Sequence, residues 1–137
     1  MSDVQAVVDR VEIEALRGEF ADALMMHDYD RFASLFTSDG VWRIPYIDVE
    51  IVSREEIRAG IERMQGLWDY FVQTTHPGTI QLQGDTAVGR AHISEFGHMR
   101  DARSELNYAV YHDRYERPPR RGAPTNARDV MKIASSA

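Results

Sequence analysis

Apolar residues recur every three or four positions early in the chain and every second position later, so the pattern predicts helices first and strands after. Ile13, Leu16, Phe20, Ala23, Leu24 and His27 form one stripe, with Glu12, Arg17, Glu19 and Asp22 off it. This predicts a first helix from a cap at Ser2 or Asp3 to about His27. Asp28 is placed to cap a second, short helix from Tyr29 to Phe36 that turns Phe32, Leu35 and Phe36 inward. Ser38-Asp39-Gly40 reads as a turn, followed by short strands at 41–45 and 49–52; Pro45 ends the first or puts it at an edge. Ser53 and Glu56 make a capping box for a third helix that buries Ile57, Ile61, Met64 and Leu67.

The most informative stretch is 74–98. It reads as two long strands joined at Gly84-Asp85, because glycine suits the first position of a two-residue II′ turn. That turn sets Gln83 opposite Thr86, Leu82 opposite Ala87, Ile80 opposite Gly89, Gly78 opposite Ala91 and His76 opposite Ile93. Alternation then puts His76 and Glu95 together at the end of an apolar face, a pairing that suits a base and its orienting carboxylate. The other face carries Thr79, Gln81, Arg90, His92 and Ser94 and reads as wet. A turn near 100–103, a third long strand at 105–116, an irregular basic loop at 118–127 and a last strand at 129–133 follow. Helices followed by antiparallel strands give an α+β fold with helices on one face of a curved sheet.

Composition narrows the function classes. A chain of 137 residues is one domain, 1–137, with room for a core. A net charge of −6 argues against nucleic acid or an anionic membrane as partner, and with no cysteine there is no disulfide or thiolate chemistry. The five histidines show no metal-ligand spacing, no apolar run reaches membrane-span length, and the N-terminus is too acidic for a signal peptide. No cofactor is expected, and a cytoplasmic location follows.

The long first helix, Asp28-Tyr29-Asp30-Arg31-Phe32, the passage 36–42, Thr75-His76, the 84–89 hairpin and the strand 108–116 together resemble the SnoaL-like branch of the nuclear transport factor 2-like superfamily. The resemblance implies a cone in which helices and a strongly curved sheet enclose an apolar pocket. The branch includes dehydratases, a dehydrochlorinase, cyclases and isomerases, and also proteins that only bind or assemble. In its lyases a histidine matching His76 is the general base. The aspartate that orients it, near the end of the first helix, is matched here by Met25, and an aromatic position five residues earlier by Phe20. Glu95 matches a pocket acid of some dehydratases, and His98 a second catalytic histidine if a bulge at Gly97 turns it inward. Where related chains continue with a Gly-Trp turn and a closing strand, 118–127 shows neither.

The sequence therefore supports a cofactor-independent lyase or isomerase acting on a small apolar cyclic or aromatic compound. His76 would take a proton, Glu95 or His98 would orient or relay it, and Tyr46 or Tyr108 would polarise the substrate. Phe20, Met25, Trp42, Tyr46 and Tyr108 are the expected pocket walls, and a homodimer or homotrimer through the convex face of the sheet is the expected assembly. For each histidine the plainer alternative is structural: His76 bonded to backbone beside Pro77, His27 as a partly buried helix end, His98 on the surface. The alternative for the whole chain is a non-catalytic binding or assembly protein, which Met25 favours. Residues 113–117, with the basic loop, read as a solvated rim or an oligomer contact.

Overall fold

A computed structural model describes residues 3–118 and 130–137, without the side chain of Tyr46. Helix α1 spans Asp3–Met25 and turns Ile13, Leu16, Phe20, Ala23 and Leu24 inward. It stops two residues before His27, which takes a positive φ of 56° while the Asp28 N–H returns to Ala23 O at 2.9 Å. This left-handed C-terminal closure leaves His27 exposed, with Nδ1 3.0 Å from the Tyr29 hydroxyl, rather than partly buried. Asp28 caps α2, Tyr29–Ser34, as expected. Ser53 likewise caps α3, Arg54–Gln65, through the Glu56 N–H at 3.2 Å. Each such cap contributes about 1 kcal/mol. Leu67 lies beyond the end of α3 and is exposed instead of buried.

The strands are β1 Phe36–Ile44, β2 Val49–Val52, β3 Trp68–Gln83, β4 Thr86–Met99, β5 Ser104–Glu116 and β6 Lys132–Ser136, with a 3-10 turn Pro45–Ile47 after β1. They form one sheet in the order β2-β1-β6-β5-β4-β3. The sheet is mixed, because β6 runs parallel to β1 and antiparallel to β5. Phe36, expected at the end of the second helix, instead opens β1 and is fully buried. The final strand starts three residues later than expected and lies between β1 and β5. The loop 118–127, apart from Pro118, lies outside the described residues. No described helix is long and apolar enough to cross a membrane.

The helices pack on the inner face of the sheet around Phe20, Phe32, Phe36, Trp42, Ile57, Tyr115 and Ile133. Phe20 packs tilted on Phe32 with ring centroids 4.8 Å apart and edge-on to Tyr111 at 5.5 Å, so it belongs to this core rather than to a pocket wall. Full burial of one such side chain stabilises by roughly 1.5–3 kcal/mol, which makes the aromatic cluster the main source of cohesion.

Residues 113–117 are a solvated rim only in part, since Arg114 is exposed while its neighbours on the inner face are not. Asp113 and Tyr115 face inward and are buried, and Arg17 reaches them from α1. The Tyr115 hydroxyl donates to Asp113 at 2.9 Å, and Arg17 donates to that hydroxyl at 3.1 Å and to Thr79 O at 2.7 Å. Burial raises the Asp113 pKa, against the hydrogen bond from Tyr115 and the charge of Arg17. Burial also raises that of Tyr115, helped by the charge of Asp113. The folded chain therefore holds the Asp113 proton to higher pH than the unfolded chain does. The stability this gives is full below the ordinary carboxylate pKa, near 4, and is lost as pH rises through the higher folded value. Asp113→Asn should flatten that decline. In thermal melts between about pH 4 and pH 7.5 the wild type should lose stability relative to the variant as pH rises. A variant that loses ground to the wild type over this range would contradict the assignment.

Candidate functional site

The hairpin begins in the expected register. Gly84 takes the positive φ, at 71°, and Gln83, Leu82 and Ile80 face Thr86, Ala87 and Gly89. The register then shifts between His76 and Thr79, where β3 carries one extra residue. Pro77 offers no N–H to the ladder, and Gly78 lies so close to β4 that a Cβ there would sit 1.8 Å from Arg90 O. A one-residue slip exchanges the two faces of everything beyond it. His76 consequently faces His92 rather than Ile93, while Thr75 faces Ile93 and Gln73 faces Glu95. The slip also turns Phe71 inward in place of Tyr70 and Val72, and a second extra residue at Asp69 turns Trp68 the same way.

His76 therefore stands on the outer face, exposed, with Nε2 3.0 Å from Ser94 Oγ. His98 is also outside. Gly97 makes no bulge that redirects it, and its Nδ1 lies 3.1 Å from Asp69 while its ring stacks on Tyr70. Met25 sits at the end of α1, 37% exposed, away from the cavity. The expected grouping of His76, Glu95 and His98 does not form, because β3 does not hold one register along its length.

Glu95 is inside, as expected. It borders a cavity of about 430 Å³ between the inner face of the sheet, α3 and the end of β1. Gln73 Nε2 donates to one carboxylate oxygen at 3.1 Å and Asn107 Nδ2 to the other at 2.8 Å. These donors come from the strands on either side of Glu95, so its position is fixed by three neighbouring strands. Two amides orient a carboxylate while leaving it unpaired in charge. No described Arg, Lys or His forms an ion pair with it. Next to these amides, two residues along β4, the wall is aromatic. Trp68 lies against Gly97, where a Cβ would meet its ring at 2.8 Å, and packs on Phe71 at 5.4 Å.

Trp42 also lines the cavity, as expected, while Tyr108 alternates to the outer face of β5 and is 75% exposed rather than a pocket wall. Tyr111, the alternate tyrosine of β5, is the one turned inward. Residues that the sequence reading missed are Gln73, Asn107 and Trp68. The signal for Gln73 was the Pro77-Gly78 pair, since a proline inside a long strand marks a place where the ladder breaks. Nothing in the sequence marked Asn107 without that register. Trp42 Nε1, Gln65 Oε1 and Gln73 Oε1 on the cavity wall have no hydrogen-bond partner among the described residues. These three atoms are free to meet water or a ligand in the cavity.

Residues 5–129 match the model of the SnoaL-like domain. The chain belongs to that family. Among solved structures, the SnoaL-like chain superposes on that of LinA with a TM-score of 0.86 at 20% identity, over 99% of this chain and 88% of that one. It also superposes on the hexachlorocyclohexane dehydrochlorinase LinA-type3 from Novosphingobium barchaimii LL02, with a TM-score of 0.84 at 20% identity over 98% and 88% of the two chains. A putative scytalone dehydratase from Novosphingobium aromaticivorans DSM 12444 gives 0.83 at 14% identity over 98% and 85%. At these identities the likeness is one of fold. No curated protein matches the sequence.

Proposed function

We propose that this SnoaL-like chain binds a small, largely apolar ring compound in the cavity, with Glu95 as the polar anchor. The observation that carries this reading is the Glu95 carboxylate, held by Gln73 and Asn107 beside an aromatic wall. A cavity of about 430 Å³ lies in the range of small-molecule sites, and a few fixed polar groups on apolar walls are what such sites use for orientation. The outward positions of His76 and His98 argue against chemistry based on these histidines.

A second reading is proton transfer by Glu95 itself, as part of a lyase or isomerase reaction. It is supported by the fold shared with a dehydrochlorinase and a putative dehydratase, and by the fixed direction of the carboxylate. An oriented carboxylate can take a proton from carbon without a histidine if the substrate places that carbon within hydrogen-bond reach. The convex face further supports self-association. Toward its end away from Gly84, Tyr70, Val72, Thr74, Ser94, Phe96, Leu106, Tyr108 and Val110 share it with no acid, lysine or arginine among them, while Arg90 and Arg114 lie on it nearer the turn.

Binding should quench Trp fluorescence when cyclohexanone or benzyl alcohol is added, and Ala109→Phe, which fills the cavity, should remove the response. Failure of every small ring compound tried to change the fluorescence would end the binding reading. For proton transfer, wild type should speed deuterium uptake at the carbons beside the carbonyl of cyclohexanone in heavy water. Glu95→Gln should lose that effect and His76→Ala should keep it; the reverse result would return the chemistry to the histidine. For assembly, Phe96→Asp should lower the mass in solution to that of one 15.7 kDa chain. An unchanged oligomer would exclude this face.

A further inference from the structure

The charge of Glu95 is not balanced by its surroundings, and this points to the chemical class of the ligand. Gln73 and Asn107 are neutral donors. Arg43, the only cation among the described residues lining the cavity, is engaged with Glu50 at 3.1 Å across the β1–β2 pair. An ionised carboxylate only accepts hydrogen bonds, so whatever meets its remaining lone pairs must be a donor. In an apolar cavity a cationic donor is favoured over a neutral one, because charge-assisted hydrogen bonds are stronger and water screens them less.

The adjoining wall suits the same ligand. Gly97 is on the same strand face as Glu95, two residues along β4, and lets the Trp68 ring lie against the backbone beside the carboxylate. Phe71 packs on Trp68 and is paired with Gly97. Aromatic faces next to a carboxylate attract an ammonium group through the ring quadrupole. The net charge of −6 also draws cations toward the chain.

We propose that the cavity takes a protonated amine carried on a small apolar ring, with its ammonium group donating to Glu95 and lying beside Trp68 and Phe71. This rests on the binding reading above and names the ligand class for the same cavity. A neutral apolar ring would leave the carboxylate without a counter-charge, and an anionic one would be repelled.

Isothermal titration of the full chain with benzylamine, cationic at neutral pH, and with benzyl alcohol, its neutral counterpart of similar size, tests the proposal. The wild type should bind benzylamine about tenfold or more tightly than the alcohol. Glu95→Gln keeps the shape, accepts from one of the two amides and can donate to the other once that amide turns over, and it should bind the two compounds alike. Its thermal midpoint, measured in parallel, shows that the variant is folded. Equal affinity for both compounds in the wild type would overturn the inference, as would a preference that survives in Glu95→Gln. If the alcohol binds and the amine does not, the cavity remains a binding site and only the ligand class is wrong. If neither binds, both readings fall.

Discussion

The extra residue in β3 at Pro77-Gly78 is the constraint on which the site depends. A strand has only two faces, so one added residue decides which side chains of the seven positions from Tyr70 to His76 meet the helices. Without it His76, Thr74 and Tyr70 would face the helices; with it Thr75, Gln73 and Phe71 do. The outcome follows from packing. The slip turns the Phe71 ring inward and gives Glu95 an amide partner directly across the strand pair, and the second extra residue at Asp69 sets Trp68 beside Phe71. Keeping the unshifted register would gain for His76 an apolar wall but would require Pro77 to take a ladder position it cannot fill. The hydrogen bond His76 makes instead, to Ser94 in solvent, is worth about 1 kcal/mol at most and decides nothing.

The carboxylate site inherits its rigidity from that register. Gln73 on β3 and Asn107 on β5 reach Glu95 on β4 from both sides, so the acid sits on three paired strands rather than on a loop. Sites built on paired strands hold geometry better than sites on loops, which suits both an anchor for a charged group and a directed base. The second buried network, Arg17 with Tyr115 and Asp113, fastens α1 to the sheet on the other side of the core. It is buried, and burial raises the pKa of its acid, so it serves cohesion rather than exchange with a ligand.

Much of the fold was legible in the residues themselves. Asp28 and Ser53 announced two helix starts, and Gly84-Asp85 set the turn and the first three cross-strand pairs. The SnoaL-like resemblance added the arrangement of helices on a curved sheet. What was not legible came from two sources. Local pattern cannot tell that 36–40 continues a strand whose partner, β6, is nearly a hundred residues away. Alternation also carries no warning of where it stops, so His76 was assigned by counting from a turn through a break that only the close approach of Gly78 to Arg90 makes visible. Glu95 was placed correctly because β4 holds one register against β5 from Thr86 to His98. Asp113 and Tyr115 shared that continuous register, yet their charged neighbours Arg114 and Glu116 masked the inward alternation.

The measurement that bears most directly on this account is a set of proton–proton distances from nuclear Overhauser spectra of the labelled protein. The His76 ring should show contacts to the Ser94 β protons, and the Gln73 side-chain amide should show contacts to the γ protons of Glu95. Contacts from the His76 ring to Ile93 and Glu95 instead would mean that the strand keeps its register through Pro77, and would contradict the site described above.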